Sequence, residues 1–255
     1  MLVVSIMMLA EPKPLRVVVL GDDPMMANNE AEGGVGYAAF LQPLFDAAVT
    51  VDVQVSESLL PTDPAALLEP ARKGDIALIC KMPVAEEAEE KTQSDVYLDQ
   101  LLAIQQAAKK KGVKVVWMTP VAPRYFTAEG EQIHRRGIYP DVVRKLCKRD
   151  VLPIIDVEQL TFDWLTGLGQ EGSAAAYLPV LPAIPEAADK AAREGNLLTE
   201  HGAKQVAMLI GDALHKDKKH LLNKRVRPSE DAPVSAPTTP APAEEKPAEE
   251  LVVSE

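Results

Sequence analysis

The residues best suited to chemistry stand at the end of an apolar run. In "VVVLGDDPMM" (residues 17–26) a β-branched stretch and a glycine lead straight into Asp22 and Asp23. Many α/β hydrolytic enzymes place a nucleophile at such a point, and here the residue types are carboxylates. A carboxylate can attack a glycosyl carbon or a phosphoryl group. The plainer role for Asp22 and Asp23 is to accept hydrogen bonds from N–H groups of the loop or helix behind the strand. Met25 and Met26 are expected to pack on the pocket floor. Elsewhere reactive types are sparse. Of the four histidines, His201 reads as a surface residue near a helix start, and His134, His215 and His220 lie in a loop or a basic strip. Cys80 and Cys147 sit far apart in apolar settings without metal-ligand spacing. Buried free thiols are expected, with one disulfide as the alternative, and neither metal nor cofactor is implied. "AEEAEEK" (85–91) reads as a solvated approach to the next helix.

The elements that must position these residues alternate. A strand is expected at 16–21, a helix at 36–48 from the spacing of Phe40, Leu44 and Phe45, and a strand at 49–55. A helix follows at 63–74, with Asp63 as N-cap and Pro64 in its first position. "DIALIC" (75–80) is continuously apolar, as a parallel strand covered on both faces should be. A long helix spans 94–112, with Ser94 as cap and Gly112 as terminator. Beyond it come a strand at 113–120, a helix at 139–150, a strand at 152–157 and helical stretches near 158–167 and 199–215. Strand–helix alternation with short connections gives a parallel sheet of about five strands between two helical layers. In such sheets chemistry belongs at the carboxyl ends of the strands. That directs attention to residues 21–23, 55–58, 80–84 and 119–122, and to the segment before the last helix.

The totals bound the function. At 255 residues, 47% hydrophobic and 25% charged, the chain suits one well-packed α/β domain with added segments. A net charge of −11 argues against a general nucleic-acid binder, which needs a basic face. Residues 229–255 hold seven acidic residues and one lysine, amid proline and alanine. They read as an extended disordered tail with nothing to bury. The strip before it, "KDKKHLLNKRVR" (216–227), is basic and could pair with that tail. Residues 1–14 begin with ten mostly apolar residues and then Glu-Pro-Lys-Pro. This looks like the back half of a secretory signal that lacks a basic n-region. Export is therefore the expectation, with a cytoplasmic location as the alternative. No run approaches the ~18 apolar residues of a membrane span.

One block is recognisable: "VVWMTPVAPRYFTAEGEQIHRRGIYPDVVRKLCKRDVLPIIDVEQLT" (115–161). Thr119-Pro120-Val121, Arg124, Phe126, Gly130, Tyr139-Pro140, Arg144 and Pro153-Ile154-Ile155-Asp156 stand in an order and spacing that resembles the rhamnogalacturonan acetylesterase branch of the SGNH (GDSL-like) hydrolases. "GVGYAAFLQPLFDAAVTVDVQV" and "TEHGAKQVAMLIGDAL" resemble that branch's first helix with second strand and its closing helix. The likeness covers about residues 16–215. It implies a three-layer αβα, flavodoxin-like SGNH fold. The chain then divides into residues 1–14 (truncated signal segment), 15–215 (SGNH-like domain), 216–228 (basic linker) and 229–255 (disordered acidic tail).

The resemblance also implies four catalytic stations: a serine after Gly-Asp, a glycine and an asparagine that donate to an oxyanion, and an Asp-x-x-His before the last helix. Gly21 and Asp22 match, but Asp23 takes the serine's place. The oxyanion glycine falls at Ser58, which keeps a backbone N–H without glycine's left-handed freedom. The next turn places Met82 at a glycine and Val84 at the asparagine. The Asp-x-x-His falls at Glu194 and Leu197, although "REGNLLTEHG" offers no firm anchor for that register. Asp23 with Glu194 could form a two-carboxylate pair with one raised pKa. Asp156 and Arg144 are expected to hold loops through a partly buried ion pair.

Acyl transfer in this fold needs nucleophile, base and oxyanion donor together, so the reading is a catalytically degenerate SGNH-fold protein. It would bind a carbohydrate or a protein partner without hydrolysing it. The alternatives are an acetyl-ester hydrolase with a rearranged site and a scaffold protein acting through its tail.

Overall fold

In the computed structural model the described residues are 13–55, 63–82, 90–179 and 194–227. The expected signal segment, Ser58, Val84, "AEEAEEK" up to residue 89 and the acidic tail lie outside them.

Five strands form one parallel sheet: β1 (Leu15–Gly21), β2 (Val49–Val55), β3 (Ile76–Cys80), β4 (Lys114–Met118) and β6 (Ile154–Ile155), in the order β2-β1-β3-β4-β6. A short antiparallel pair, β5 (Arg124–Tyr125) with β7 (Glu194–Gly195), lies apart from it. The helices are α1 (Pro64–Leu67), α2 (Glu90–Lys111), α3 (Tyr139–Asp150), α4 (Val157–Gly172) and α5 (Glu200–Lys216).

Period-two alternation along buried strands makes two cores. Val17, Val19 and Leu78 face Val206, Ile210 and Leu214 of α5 and Leu165 of α4. Val18, Leu20, Ala77 and Ile79 face Leu101 and Ile104 of α2 and Val143 and Leu146 of α3. The result is the expected three-layer α/β arrangement. The order in which strands are added reverses between β1 and β3, with β2 on one side and β4 and β6 on the other, and this is the topological switch point at which such sheets bind ligands beyond their carboxyl ends. Gly21-Asp22-Asp23 leaves β1 there, and Lys81-Met82 leaves β3.

Several local expectations change. Residues 36–48 form two 3₁₀ turns, Tyr37–Phe40 and Gln42–Leu44, in place of one α-helix. Pro43 cannot donate to an α-helical ladder, and the Gln42 side chain bonds Val49 O (3.1 Å) and Val51 N (2.8 Å) of the next strand. The helix expected at 63–74 is the four residues of α1; Asp63 caps it as foreseen, its side chain accepting from Ala65 and Ala66 N–H. Pro70 and Gly74 stop it from extending. Helix α2 begins at Glu90, so Ser94 lies inside it and is not its cap. Gly112, at φ +75°, ends it in the left-handed region where glycine fits without strain. The strand expected at 152–157 shrinks to Ile154–Ile155 because Asp156 turns inward to cap α4, accepting from Gln159 N–H. Residues 217–227 return to the domain: Leu222 and Val226 are buried in the α5-side core, and Arg225 pairs with Asp46 (2.9 Å).

No helix among the described residues is long and apolar enough to cross a membrane. Both cysteines are free and buried.

Candidate functional site

At the end of β1 the backbone stays paired for one more residue, with Asp22 N donating to Cys80 O (3.2 Å). A Cβ on Gly21 would fall 1.9 Å from Met26 Sδ, so glycine leaves room for the end of that side chain, which would otherwise have to move aside. Met25 and Met26 are each 1% exposed and belong to the core on the α5 side of the sheet.

Two buried ion pairs fill the space above the switch point. Lys81 Nζ donates to Asp22 Oδ2 (2.7 Å) and to Met82 O (2.9 Å), and Met82 N donates to Asp22 Oδ1 (2.5 Å). Tyr97 of α2 donates its hydroxyl proton to Lys81 O (2.6 Å), tying the end of β3 to the helix layer. Asp23 is 0% exposed. Its Oδ2 accepts from Val121 N (2.7 Å), and its Oδ1 from Met25 N (3.2 Å) and Arg136 Nη2 (3.2 Å). Arg136 also donates through Nε to Val121 O (2.8 Å), so one guanidinium clamps both the carboxylate and the loop leaving β4.

Burial of such ions costs several kcal/mol each, and it is offset only where the remaining lone pairs and protons find partners. Asp23 meets that condition with two N–H groups and a guanidinium. Asp22 meets it with an ammonium and an N–H. Other polar groups crowd the same space. Burial, with Cys80 and Asp23 adding to it, pushes the Tyr37 phenol well up; its hydroxyl has no partner among the described residues. Burial likewise pushes the Cys80 thiol well up, reinforced by Asp23 and Asp22 and opposed by Arg136 and Lys81. The Tyr177 phenol, also raised by burial, donates to Ala122 O (2.8 Å).

A nucleophile or general base needs a lone pair that a substrate can reach. In this arrangement both oxygens of Asp23 are engaged and shielded, and both oxygens of Asp22 accept from the β3 end. What the cluster does is hold the ends of β1, β3 and β4 together.

No protein-family profile matches the chain. It is 28% identical over 109 residues to the rhamnogalacturonan acetylesterase RhgT of Bacillus subtilis, across 43% of this chain and 47% of that protein. The chain thus spans about half the length of the curated relative it matches. Among solved structures it resembles Bacillus subtilis YxiM with a TM-score of 0.55 at 19% identity, over 80% of this chain and 56% of the other. The fold is that of the SGNH (GDSL-like) hydrolases. A variant of the acetyl xylan esterase Axe2 of Geobacillus stearothermophilus aligns with a TM-score of 0.49 at 16% identity, over 80% of this chain and 94% of that one.

Within this SGNH fold the expected site residues are placed unevenly. Gly21, Asp22, Asp23 and Met82 come together at the switch point, as their strand-end positions required. Ser58 and Val84 lie outside the described residues. Glu194 is placed by its backbone in the β5–β7 ladder, opposite Tyr125. Leu197 offers its carbonyl to Leu178 N (2.9 Å). All four histidines are described, and none hydrogen-bonds Asp23. His201 is exposed in the first turn of α5; His215 lies near that helix's end, and His220 in the turn after it. His134 Nδ1 lies 2.6 Å from Oε1 of the buried Glu158, and its ring stacks on Phe162 at 3.7 Å.

The Arg144–Asp156 ion pair is present as expected, Nε to Oδ2 at 2.8 Å, and it is larger than expected. Arg144 also bonds Asp141 (2.9 Å) and Glu158 (2.5 Å), and Thr119 donates to Asp156 Oδ1 (3.0 Å). Sequence reasoning missed Lys81, Arg136, Tyr37 and the His134–Glu158 pair. Lys81 had a signal, being a charge directly after five apolar strand residues at a functional strand end. Arg136, in a loop of "HRRG", had none, because its partner is 113 residues away in sequence.

Proposed function

We propose that this chain is an SGNH-fold protein that does not hydrolyse esters through the fold's serine mechanism, and that it binds a carbohydrate at the carboxyl end of its sheet. The reading rests on one observation above the others. Asp23, which the resemblance puts in the serine's place, is fully buried, with Val121 N–H, Met25 N–H and Arg136 on its two oxygens. The carbohydrate class is supported by the partial likeness to RhgT, named for acetylated rhamnogalacturonan. Export belongs to the same proposal and rests on the apolar stretch at residues 1–10.

The test is calorimetric titration of the full chain with acetylated and deacetylated rhamnogalacturonan oligosaccharides, with released acetate measured in the same samples. Saturable binding without acetate release is expected. If no oligosaccharide binds, carbohydrate recognition is wrong and the scaffold reading, through residues 229–255, takes its place.

A second reading, ester hydrolysis by a rearranged site, is favoured by the His134–Glu158 pair. A buried glutamate orients the imidazole through Nδ1, and the His134 side chain is 54% exposed, the disposition of a base held by an orienting carboxylate. Acetate release lost in His134→Ala and kept in Asp23→Asn would establish it.

A further inference from the structure

Along the outer edge of β6 lies a cleft of about 560 Å³ formed by the end of α3, β6 and the turn after α5 and not lined by Asp22 or Asp23. Its floor is apolar, from Leu152, Pro153, Ile154 and Leu221. Its charge is cationic. Lys148 and Lys219 line it, both are exposed, and neither has an acidic partner among the described residues. Two carboxylates line it as well, against Arg144, Lys148 and Lys219, and leave it a single positive charge in excess. Asp156 is held by Arg144 and Thr119, and Asp217 accepts from Lys219 N–H (3.0 Å).

Three further features mark the cleft. His220, 8% exposed, accepts from Leu222 N–H at Nδ1 (3.2 Å), which puts its own proton on Nε2; that N–H has no partner among the described residues. Val151 is the only non-glycine residue at positive φ (53°) among the described residues, and it is 90% exposed. A β-branched residue is disfavoured in that conformation, so an apolar side chain is held out at the cleft's mouth where glycine would be less strained. Third, β6 pairs on one side only. Trp117 and Thr119 N–H reach Pro153 and Ile155 O, so the intervening N–H and C=O of Ile154 face away from β4, toward the outer edge.

The geometry points to a binding site for an acidic peptide with an apolar core, and its occupant is this chain's own residues 244–255, "EEKPAEELVVSE". Leu251, Val252 and Val253 match the apolar floor and can add a strand to the open side of β6. Glu249, Glu250 and Glu255 flank them, as Lys148 and Lys219 flank the floor. Reach is no obstacle. Val226 and Arg227 are fixed beside Phe45 and Leu44, just before β2. From β2 to β6 is four strand spacings of ~4.8 Å, roughly 19 Å. The two dozen residues between Arg227 and Leu251 can span up to ~80 Å. An intramolecular partner acts at an effective concentration near ~1 mM, so docking needs only modest intrinsic affinity.

The test uses the full chain with a nitroxide on Ser254→Cys, since Cys80 and Cys147 are buried, and reads paramagnetic broadening of backbone amides. Broadening centred on residues 148–154 and 217–221 is expected. It should fall at least threefold in Lys148→Glu/Lys219→Glu and at ~1 M salt, where charge attraction is screened. Both lysines are exposed, so the variant should keep the parent melting temperature. Broadening centred elsewhere, spread evenly, or indifferent to the charge reversal overturns the proposal. So does broadening that appears only when isotope-labelled chain is mixed with separately spin-labelled chain, because the occupant would then be a second copy.

Discussion

Replacing Asp23 by asparagine keeps the shape of the side chain and removes its charge, which isolates what the buried pair contributes. Arg136, whose side chain is 15% exposed, then loses its counter-ion. The new amide must also point a donor or a weaker acceptor at Met25 N–H and Arg136. Breaking one partner of a buried pair costs about 3–5 kcal/mol. Arg136 keeps its bond to Val121 O and some contact with water, which places the expected loss near ~3 kcal/mol, at the low end of that range. For a domain of this size each kcal/mol moves the midpoint by roughly 2–4 °C, so Tm should fall by ~6–12 °C. Arg136→Met should cost a similar amount by leaving Asp23 unpaired. The double variant leaves no unpaired charge, and it should be less destabilised than the sum of the two by ~1.5–3 kcal/mol. Urea unfolding followed by circular dichroism and by tryptophan fluorescence measures all three, and coincidence of the two probes checks two-state behaviour. An Asp23→Asn loss below ~0.5 kcal/mol, or strict additivity in the cycle, would refute the argument that these groups hold the strand ends together.

The Tyr37 hydroxyl is buried without a partner among the described residues, so Tyr37→Phe should raise stability by ~1 kcal/mol; a loss of that size would mean that the hydroxyl bonds a buried water. Burial, with Asp150 and Asp156 adding to it, pushes the Cys147 thiol up to about 12, and burial raises Cys80 as well. At about pH 8 neither should react with a thiol reagent until the chain is unfolded; one fast native thiol would contradict this. Burial holds the His220 pKa below its ordinary value despite the opposing pull of Asp217. The unfolded chain therefore takes up a proton before the folded one does, and stability falls as pH drops below ~6.5. In His220→Gln that part of the pH dependence should vanish from the unfolding curves, and an unchanged profile would count against it.

Much of the frame was legible because it depends on local pattern. The unbroken apolar run of β3, Gly112 after α2 and Asp63 before α1 each act through their own few residues, and each lies where its pattern said. Two of the misplaced elements are ones in which a partner outside the element decides. Gln42 gives its side chain to β2, which converts a helical spacing into 3₁₀ turns, and Asp156 leaves its strand early to meet Arg144 and Thr119. The site divides in the same way. Asp22 and Asp23 stood out because a strand end is a known place for function. Lys81 and Arg136, which determine what those carboxylates can do, are bound to them across 59 and 113 residues of chain. No periodicity records such pairings.

The most direct measurement is release of acetate from a simple acetyl ester by the purified full chain, beside Asp23→Ser, which puts a hydroxyl at that position, and Asp23→Asn. With both oxygens of Asp23 shielded and no histidine bonded to it, the proposed reading of Asp23 at the serine's position expects wild type and both variants to match the uncatalysed rate. Turnover by the wild-type chain that disappears in Asp23→Asn would contradict the account at its centre.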